Sequence, residues 1–205
     1  CHYKAIPSDT GAVVKVVGKL ADISRQRSRE QALREQAMRD VLTGIYNKAG
    51  ERLIDRMLKE KGQGLFLMLD LNHFKNINDT MGHAAGDAIL TEVGKVLKRT
   101  CRENDIVARI GGDEFVMFLP GAFNRQTGER KAGEIQESLL AVRISTWGIR
   151  GIRASIGTAL CPEDGTDYGT LFKAADGAMY QAKEQSRNQK KSGAAEEGKQ
   201  DRTIS

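Results

Sequence analysis

Ile106 to Leu119 reads as strand, turn, strand around Gly111-Gly112. A tight hairpin needs positive φ, and paired glycines supply it without steric cost. Around this hairpin, segments of helical period alternate with short apolar runs. Leu53, Ile54, Met57 and Leu58 mark one face of a helix that ends at Gly62. Gly64-Leu65-Phe66-Leu67-Met68-Leu69 is apolar without interruption, stops at Asp70, and reads as a buried strand. Helices are expected over Ala88–Arg99, Arg130–Ser145 and Leu171–Ser186, with a strand over Ile152–Leu160. Such an order predicts an α/β domain with a mixed or antiparallel sheet.

Composition bounds the rest. At roughly 150 residues per domain, 205 residues make one domain plus a remainder. Hydrophobic residues at 40% and charged residues at 29% exclude wholesale disorder. Cys1, Cys101 and Cys161 form no CxxC pair, so neither a disulfide scaffold nor a zinc module is expected. A reducing, cytoplasmic setting follows. No apolar run approaches the ~18 residues needed to span a bilayer, so no membrane segment is expected. The net charge of +5 is modest: it favours anionic partners but does not indicate nucleic acid, and none is expected. The chain opens at Cys1 without a signal-peptide pattern, and is expected to be part of a longer protein, the cytosolic part of a sensor that is itself either soluble or membrane-anchored.

The remainder lies at the two ends. Ser8-Asp9-Thr10-Gly11 is turn chemistry, and Val13-Val14-Lys15-Val16-Val17 is rich in β-branched residues. Two strands cannot form a core alone. With Asp22-Ile23-Ser24 after them, residues 1–24 resemble the C-terminal end of a PAS sensor domain. Residues 25–39 lack Gly and Pro and predict a helix whose heptad seam, through Gln26, Glu30, Leu33 and Ala37, is thin. It is either a solvated linker or a signalling helix that pairs with its twin. Residues 189–205 have few apolar residues and are expected to be disordered.

Asp70 at a strand end and Asp113-Glu114 after the glycine pair are hard oxygen donors. They suit Mg²⁺, which takes one or two carboxylates together with phosphates. A plain Gly-Gly hairpin with solvated acids is the alternative. The surrounding motifs decide between them. Arg109-Ile110-Gly111-Gly112-Asp113-Glu114-Phe115 resembles the signature of GGDEF-domain diguanylate cyclases. Asp40-x-Leu42-Thr43-Gly44-Ile45-x-Asn47 is similar to that family's opening motif. Asp70-Leu71-Asn72-His73-Phe74-Lys75, Asn78-Asp79 and Gly82-His83-x-x-Gly86-Asp87 are similar to its substrate motif. Ser155-Ile156-Gly157 and Ala175-Asp176-x-Ala178-Met179-Tyr180-x-Ala182-Lys183-x-x-x-Arg187-Asn188 follow in order. The resemblance covers residues 40–188.

It implies an α+β fold with a central, mostly antiparallel five-stranded sheet wrapped by helices, like nucleotidyl cyclases and polymerase palm domains. It also implies an enzyme that condenses two GTP into cyclic di-GMP and two pyrophosphates as a homodimer. Asp70, the Leu71 carbonyl and Asp113 would hold Mg²⁺, with Mn²⁺ as a substitute. Glu114 would serve as a further ligand or help remove the hydroxyl proton. Asn78 and Asp87 would read guanine, the alternatives being a turn residue for Asn78 and a helix N-cap for Asp87. Phe74, Lys75, Gly111, Gly112, Lys183 and Arg187 would complete the GTP site, the last two gripping phosphate. Without the resemblance, Lys183 and Arg187 read as a solvated helix face. Arg102-x-x-Asp105 matches the family's inhibitory product site, where cyclic di-GMP would bind. Two departures stand out: Asn72 where the family often has Asp, and Lys48 where Arg usually follows Asn. A non-catalytic receptor for cyclic di-GMP or GTP is the alternative function.

Overall fold

A computed structural model of the chain describes residues 2–7, 9–11, 13–19, 22, 24–181 and 183. Arg187 and the expected tail, 189–205, lie outside the described residues. The chain divides into two units, Cys1–Ala37 and Met38–Ser205.

In the first unit, β1 (His2–Pro7) pairs antiparallel with β2 (Val13–Lys19) across a turn where Gly11 has φ 82°. The helix α1 (Ser24–Ala37) begins where the Asp22 carboxylate accepts the Ser24 N–H at 2.8 Å. It buries none of its residues, and Leu33 is exposed, in keeping with the thin seam.

The second unit is built on one antiparallel sheet. Its strands are β3 (Gly64–Leu71), β4 (Ile106–Arg109), β5 (Glu114–Pro120) and, after a small hairpin of β6 (Arg143–Ile144) and β7 (Ile149–Arg150), β8 (Ala154–Cys161). The order across the sheet is β4-β5-β3-β8. β3 is central, and its side chains alternate between two cores. Leu65, Leu67, Leu69 and Leu71 face one, and Phe66 and Met68 the other. Burial on both faces explains the uninterrupted apolar run.

Helices α4 (His83–Arg99) and α5 (Arg125–Leu140) cover the first face through Ile89, Leu90, Val93, Ile135 and Leu139. Helices α2 (Gly50–Lys61) and α6 (168–181, with residue 183 also helical) cover the second through Ile54, Leu58, Leu171, Ala175 and Met179. A short α3 (Phe74–Met81) links β3 to α4. Gly62 ends α2 in a left-handed conformation, as expected, its N–H returning to the Leu58 carbonyl.

Three expectations are corrected. The sheet has four strands among the described residues, not five. At its β4 edge Tyr46 makes a single parallel bridge to Ala108, donating to the Val107 carbonyl at 3.0 Å and accepting from the Arg109 N–H at 2.8 Å. The turn pinned by Asp40 leaves too little extended chain there for a strand. The helix expected from Ala88 starts at His83, directly after Gly82, whose φ of 84° separates α3 from α4. The helix expected from Arg130 to Ser145 starts and stops about five residues earlier, because Asn124 and Thr127 form a reciprocal capping box at its start. Among the described residues, no helix is long and apolar enough to cross a membrane.

Candidate active site

The β3 end and the glycine hairpin form the centre of the site. Asp70 lies opposite Glu114 in the β3–β5 register. The Leu71 N–H donates to the Asp113 carbonyl at 3.3 Å, drawing the hairpin tip onto the end of β3. Burial pushes the Asp113 carboxyl above the usual carboxylate range, and the negative charge of Asp70 adds to it. A carboxylate pressed by a second negative charge favours a cation beside it. Lys183 supplies one here: its Nζ is 2.8 Å from Asp70 Oδ1. The resemblance places Lys183 on phosphate instead.

The helix that carries Lys183 is seated by Gly157. A Cβ there would collide with the Ala175 carbonyl and with Met179, so α6 packs directly on β8. Gly157 pairs with Met68, and Ser155 with Asp70. Lys183 follows Met179 by four helical residues, about 6 Å, while Asp70 follows Met68 by two strand residues, about 6.7 Å. The two advances match, so Lys183 reaches Asp70.

The hairpin corrects one more expectation: neither Gly111 nor Gly112 takes a positive φ. Gly111 instead lies close to Glu114, whose carboxylate would have to move aside for a Cβ. Gly112 faces open space. What fixes the turn is Arg109. Its Nη2 and Nε donate to the Gly112 carbonyl at 2.8 and 3.2 Å, and its Nη1 donates to both Asp40 oxygens at 3.3 Å. Asp40 in turn accepts from the Thr43 N–H at 2.9 Å and hydroxyl at 2.7 Å. Burial opposes the Asp40 charge, but Thr43 and Arg109 outweigh it and hold its carboxyl below the usual range. Sequence reasoning assigned no role to this link. Its partners are 69 residues apart, and only their membership of two motifs hinted at it.

At the α3–α4 corner, Asn78 sits within a helix and not in a turn. Its Oδ1 is buried with no hydrogen-bond partner among the described residues. Gly86 of α4 faces it so closely that a Cβ would collide with Oδ1. Phe74 packs partly into the first core, beside Gly86. Asp87 follows Gly86, exposed and within α4, so it is not that helix's N-cap. Lys75 is exposed in the first turn of α3. Asn72, the departure noted above, accepts from Ser155 Oγ at 2.7 Å, so its side chain ties β3 to β8.

Glu114 pairs with Asp70 across the β3–β5 register. Among the described residues, no three acidic, histidine or cysteine groups gather as a metal cluster. A donor set of two carboxylates and backbone carbonyls does not form a closed cage. It fits a small hard cation that draws its other ligands from water and phosphate.

Arg102 and Asp105 lie on the loop before β4. The Arg102 N–H donates to Asp105 Oδ2 at 2.8 Å and the Asp105 N–H to the Arg102 carbonyl at 3.1 Å, which closes the loop. Two clefts flank it. One of about 270 Å³ is shared with Arg39, Tyr46 and Lys98, and one of about 190 Å³ with Phe123, Arg130 and Lys131. The Arg39 guanidinium stacks 4.0 Å above the Tyr46 ring.

A family model described as "Diguanylate cyclase, GGDEF domain" matches residues 37–189. Diguanylate cyclase TpbB of Pseudomonas aeruginosa is 36% identical over 174 residues, which cover 82% of this chain and 40% of TpbB. The chain thus spans about two fifths of the length of that curated relative. The coiled coil and GGDEF domain of DgcB from Caulobacter crescentus, solved in complex with c-di-GMP, superposes with a TM-score of 0.70. The identity is 28%, over 80% of this chain and 89% of that one. A shortened TpbB comprising only the GGDEF domain gives a TM-score of 0.66 at 37% identity, over 72% of this chain and 89% of that one. The hairpin, the β3 end and the α3–α4 corner all fall within the matched stretch, and the chain belongs to the GGDEF-domain diguanylate cyclase family.

Proposed function

We propose that this chain is a diguanylate cyclase: two GTP become cyclic di-GMP and two pyrophosphates. The observation that carries the reading is the convergence of Asp70 and Asp113 at the end of β3. Asp70, Asp113 and the Leu71 carbonyl would hold Mg²⁺, or Mn²⁺ in its place. When bound, the metal neutralises charge on the triphosphate and on the attacking oxygen.

The remaining work belongs to the chain's own residues. Arg109 holds the Gly112 carbonyl and so keeps the hairpin over the triphosphate. Gly112, open on its outer side, lets phosphate approach the backbone. Lys75, Lys183 and Arg187 take the β- and γ-phosphates. Asn78 and Asp87 read the guanine edge. Adenine is rejected because it would leave those groups unpaired. Glu114 would ligate a metal or assist removal of the hydroxyl proton. Each 3′-oxygen bonds to the α-phosphorus of the other GTP as the bond to the β-phosphate oxygen breaks and pyrophosphate leaves. One chain holds one nucleotide, so two chains must face each other. Residues 1–24 are the end of a PAS-like sensor and α1 the linker from it, and the unit acts in the cytosol.

Incubation with GTP and Mg²⁺ tests this. Cyclic di-GMP should form with wild type and fall at least about a hundredfold with Asp113→Ala. No product at high protein concentration would overturn the reading. Cyclic di-GMP binding without turnover would favour the receptor function instead. Product feedback acts through Arg102 and Asp105. Added cyclic di-GMP should inhibit wild type strongly and Arg102→Ala weakly, and equal inhibition would exclude the site.

A further inference from the structure

Asp113 feels the negative charge of Asp70, and among the described residues one ion pair offsets it. Lys183 Nζ lies 2.8 Å from Asp70 Oδ1, with both side chains partly buried (31% and 26% exposed). Among the described residues, Arg109 also acts on Asp113, but it is committed to the Gly112 carbonyl and Asp40. The contact is built into the packing, because Gly157 seats α6 on β8 at a height that delivers Lys183 to Asp70.

We propose that Lys183 is a tethered counter-cation of the metal site. It occupies Asp70 until a metal-bearing nucleotide arrives, and then passes to the nucleotide's phosphates. This rests on the reading of Asp70 as a metal ligand. A bare divalent cation must displace the ammonium from Oδ1. The dication then sits beside a lysine that has lost its anion, so like charges repel. A nucleotide triphosphate removes the conflict by giving Lys183 a new anion at the same moment. Metal and GTP therefore bind as a coupled pair, each raising the affinity for the other. In this role Lys183 opposes the metal when nucleotide is absent and supports the nucleotide when it is present.

The test uses the full chain and Mn²⁺ alone, with free Mn²⁺ followed by electron paramagnetic resonance. Lys183→Gln and Lys183→Ala should each bind Mn²⁺ about tenfold more tightly than wild type, the change expected when a unit charge beside a ligand is removed. Lys183→Arg keeps the charge and should stay as weak as wild type. Adding Asp70→Asn to Lys183→Gln should abolish the gain. In a second titration, with a non-cleavable GTP analogue, Lys183→Gln should bind the analogue more weakly than wild type. This opposite sign would not follow from a general loss of structure. Equal Mn²⁺ affinity in wild type, Lys183→Gln and Lys183→Ala, all lost with Asp70→Asn, would overturn the counter-cation role and leave the metal site standing. Mn²⁺ binding that ignores Asp70→Asn would overturn the metal site and the proposal together.

Discussion

Among the described residues, Asn78 keeps a carbonyl oxygen buried without a donor, and that defect has a direction. A buried acceptor left unpaired costs about 1–3 kcal/mol, and a guanine N–H in the α3–α4 corner would remove the cost. Asn78→Ala should therefore lower affinity for a GTP analogue about 10- to 100-fold while leaving thermal stability unchanged or raised. Calorimetric titration and a melting curve check the two halves. Lost stability with intact affinity would make Asn78 a packing residue. At this scale the sequence was most informative where chemistry is local. Asp70 ends an apolar run, and Asp113-Glu114 follows a glycine pair, so these acids could be picked out without a structure. Asn78 and Asp87 stayed ambiguous because turn and capping roles use the same residue types. The absence of a partner for Oδ1 is a property of three-dimensional packing and leaves no trace in a window of sequence.

At the scale of elements, the glycine hairpin shows how a correct location can carry a wrong cause. The strands around Gly111-Gly112 were legible from their apolar runs, yet the turn uses no positive φ. Arg109 braces it instead, reaching from the Gly112 carbonyl to Asp40 in the turn before Tyr46. A clasp between two loops 69 residues apart has no periodicity to reveal it. The boundaries of α4 and α5 were missed for a related reason: a backbone break at Gly82 and a capping box at Asn124 set them, not the apolar period. The clasp predicts a pH signature. The Asp40 carboxyl is held below its ordinary value, so its charge stabilises the fold at neutral pH. That contribution is complete above the unfolded value, near pH 4, and is lost as pH falls through the depressed folded value. Asp40→Asn should cost about 1–2 kcal/mol at pH 7, with the gap to wild type closing below about pH 4. Urea unfolding at pH 7, 5 and 3 measures it. A gap that does not vary with pH would assign the loss to packing.

For the whole molecule, the proposed chemistry demands more than one chain contains. The second unit carries one Asp70–Asp113 pair and one α3–α4 corner, whereas the proposed reaction joins two GTP. The +5 charge belongs partly to this demand. Lys75, Lys183 and Arg187 lie in the motifs assigned to triphosphate, and Arg102 in the loop assigned to product. Eight of the other basic residues lie in α1 and the tail, where composition alone could not separate them from the site. The proposed two-chain catalysis has a kinetic consequence. If chains meet only weakly, the active fraction rises with concentration, and specific activity should climb in proportion to protein at the dilute end and level off once dimers dominate. A tight dimer would instead give a flat profile together with twice the monomer mass by sedimentation at the same dilution. Cyclic di-GMP formation and sedimentation, measured across the same hundredfold dilution series, separate these cases. A flat profile from a protein that sediments as a monomer throughout would rule out catalysis between two facing chains. It would require a single chain to hold both nucleotides, for which the second unit presents one Asp70–Asp113 pair.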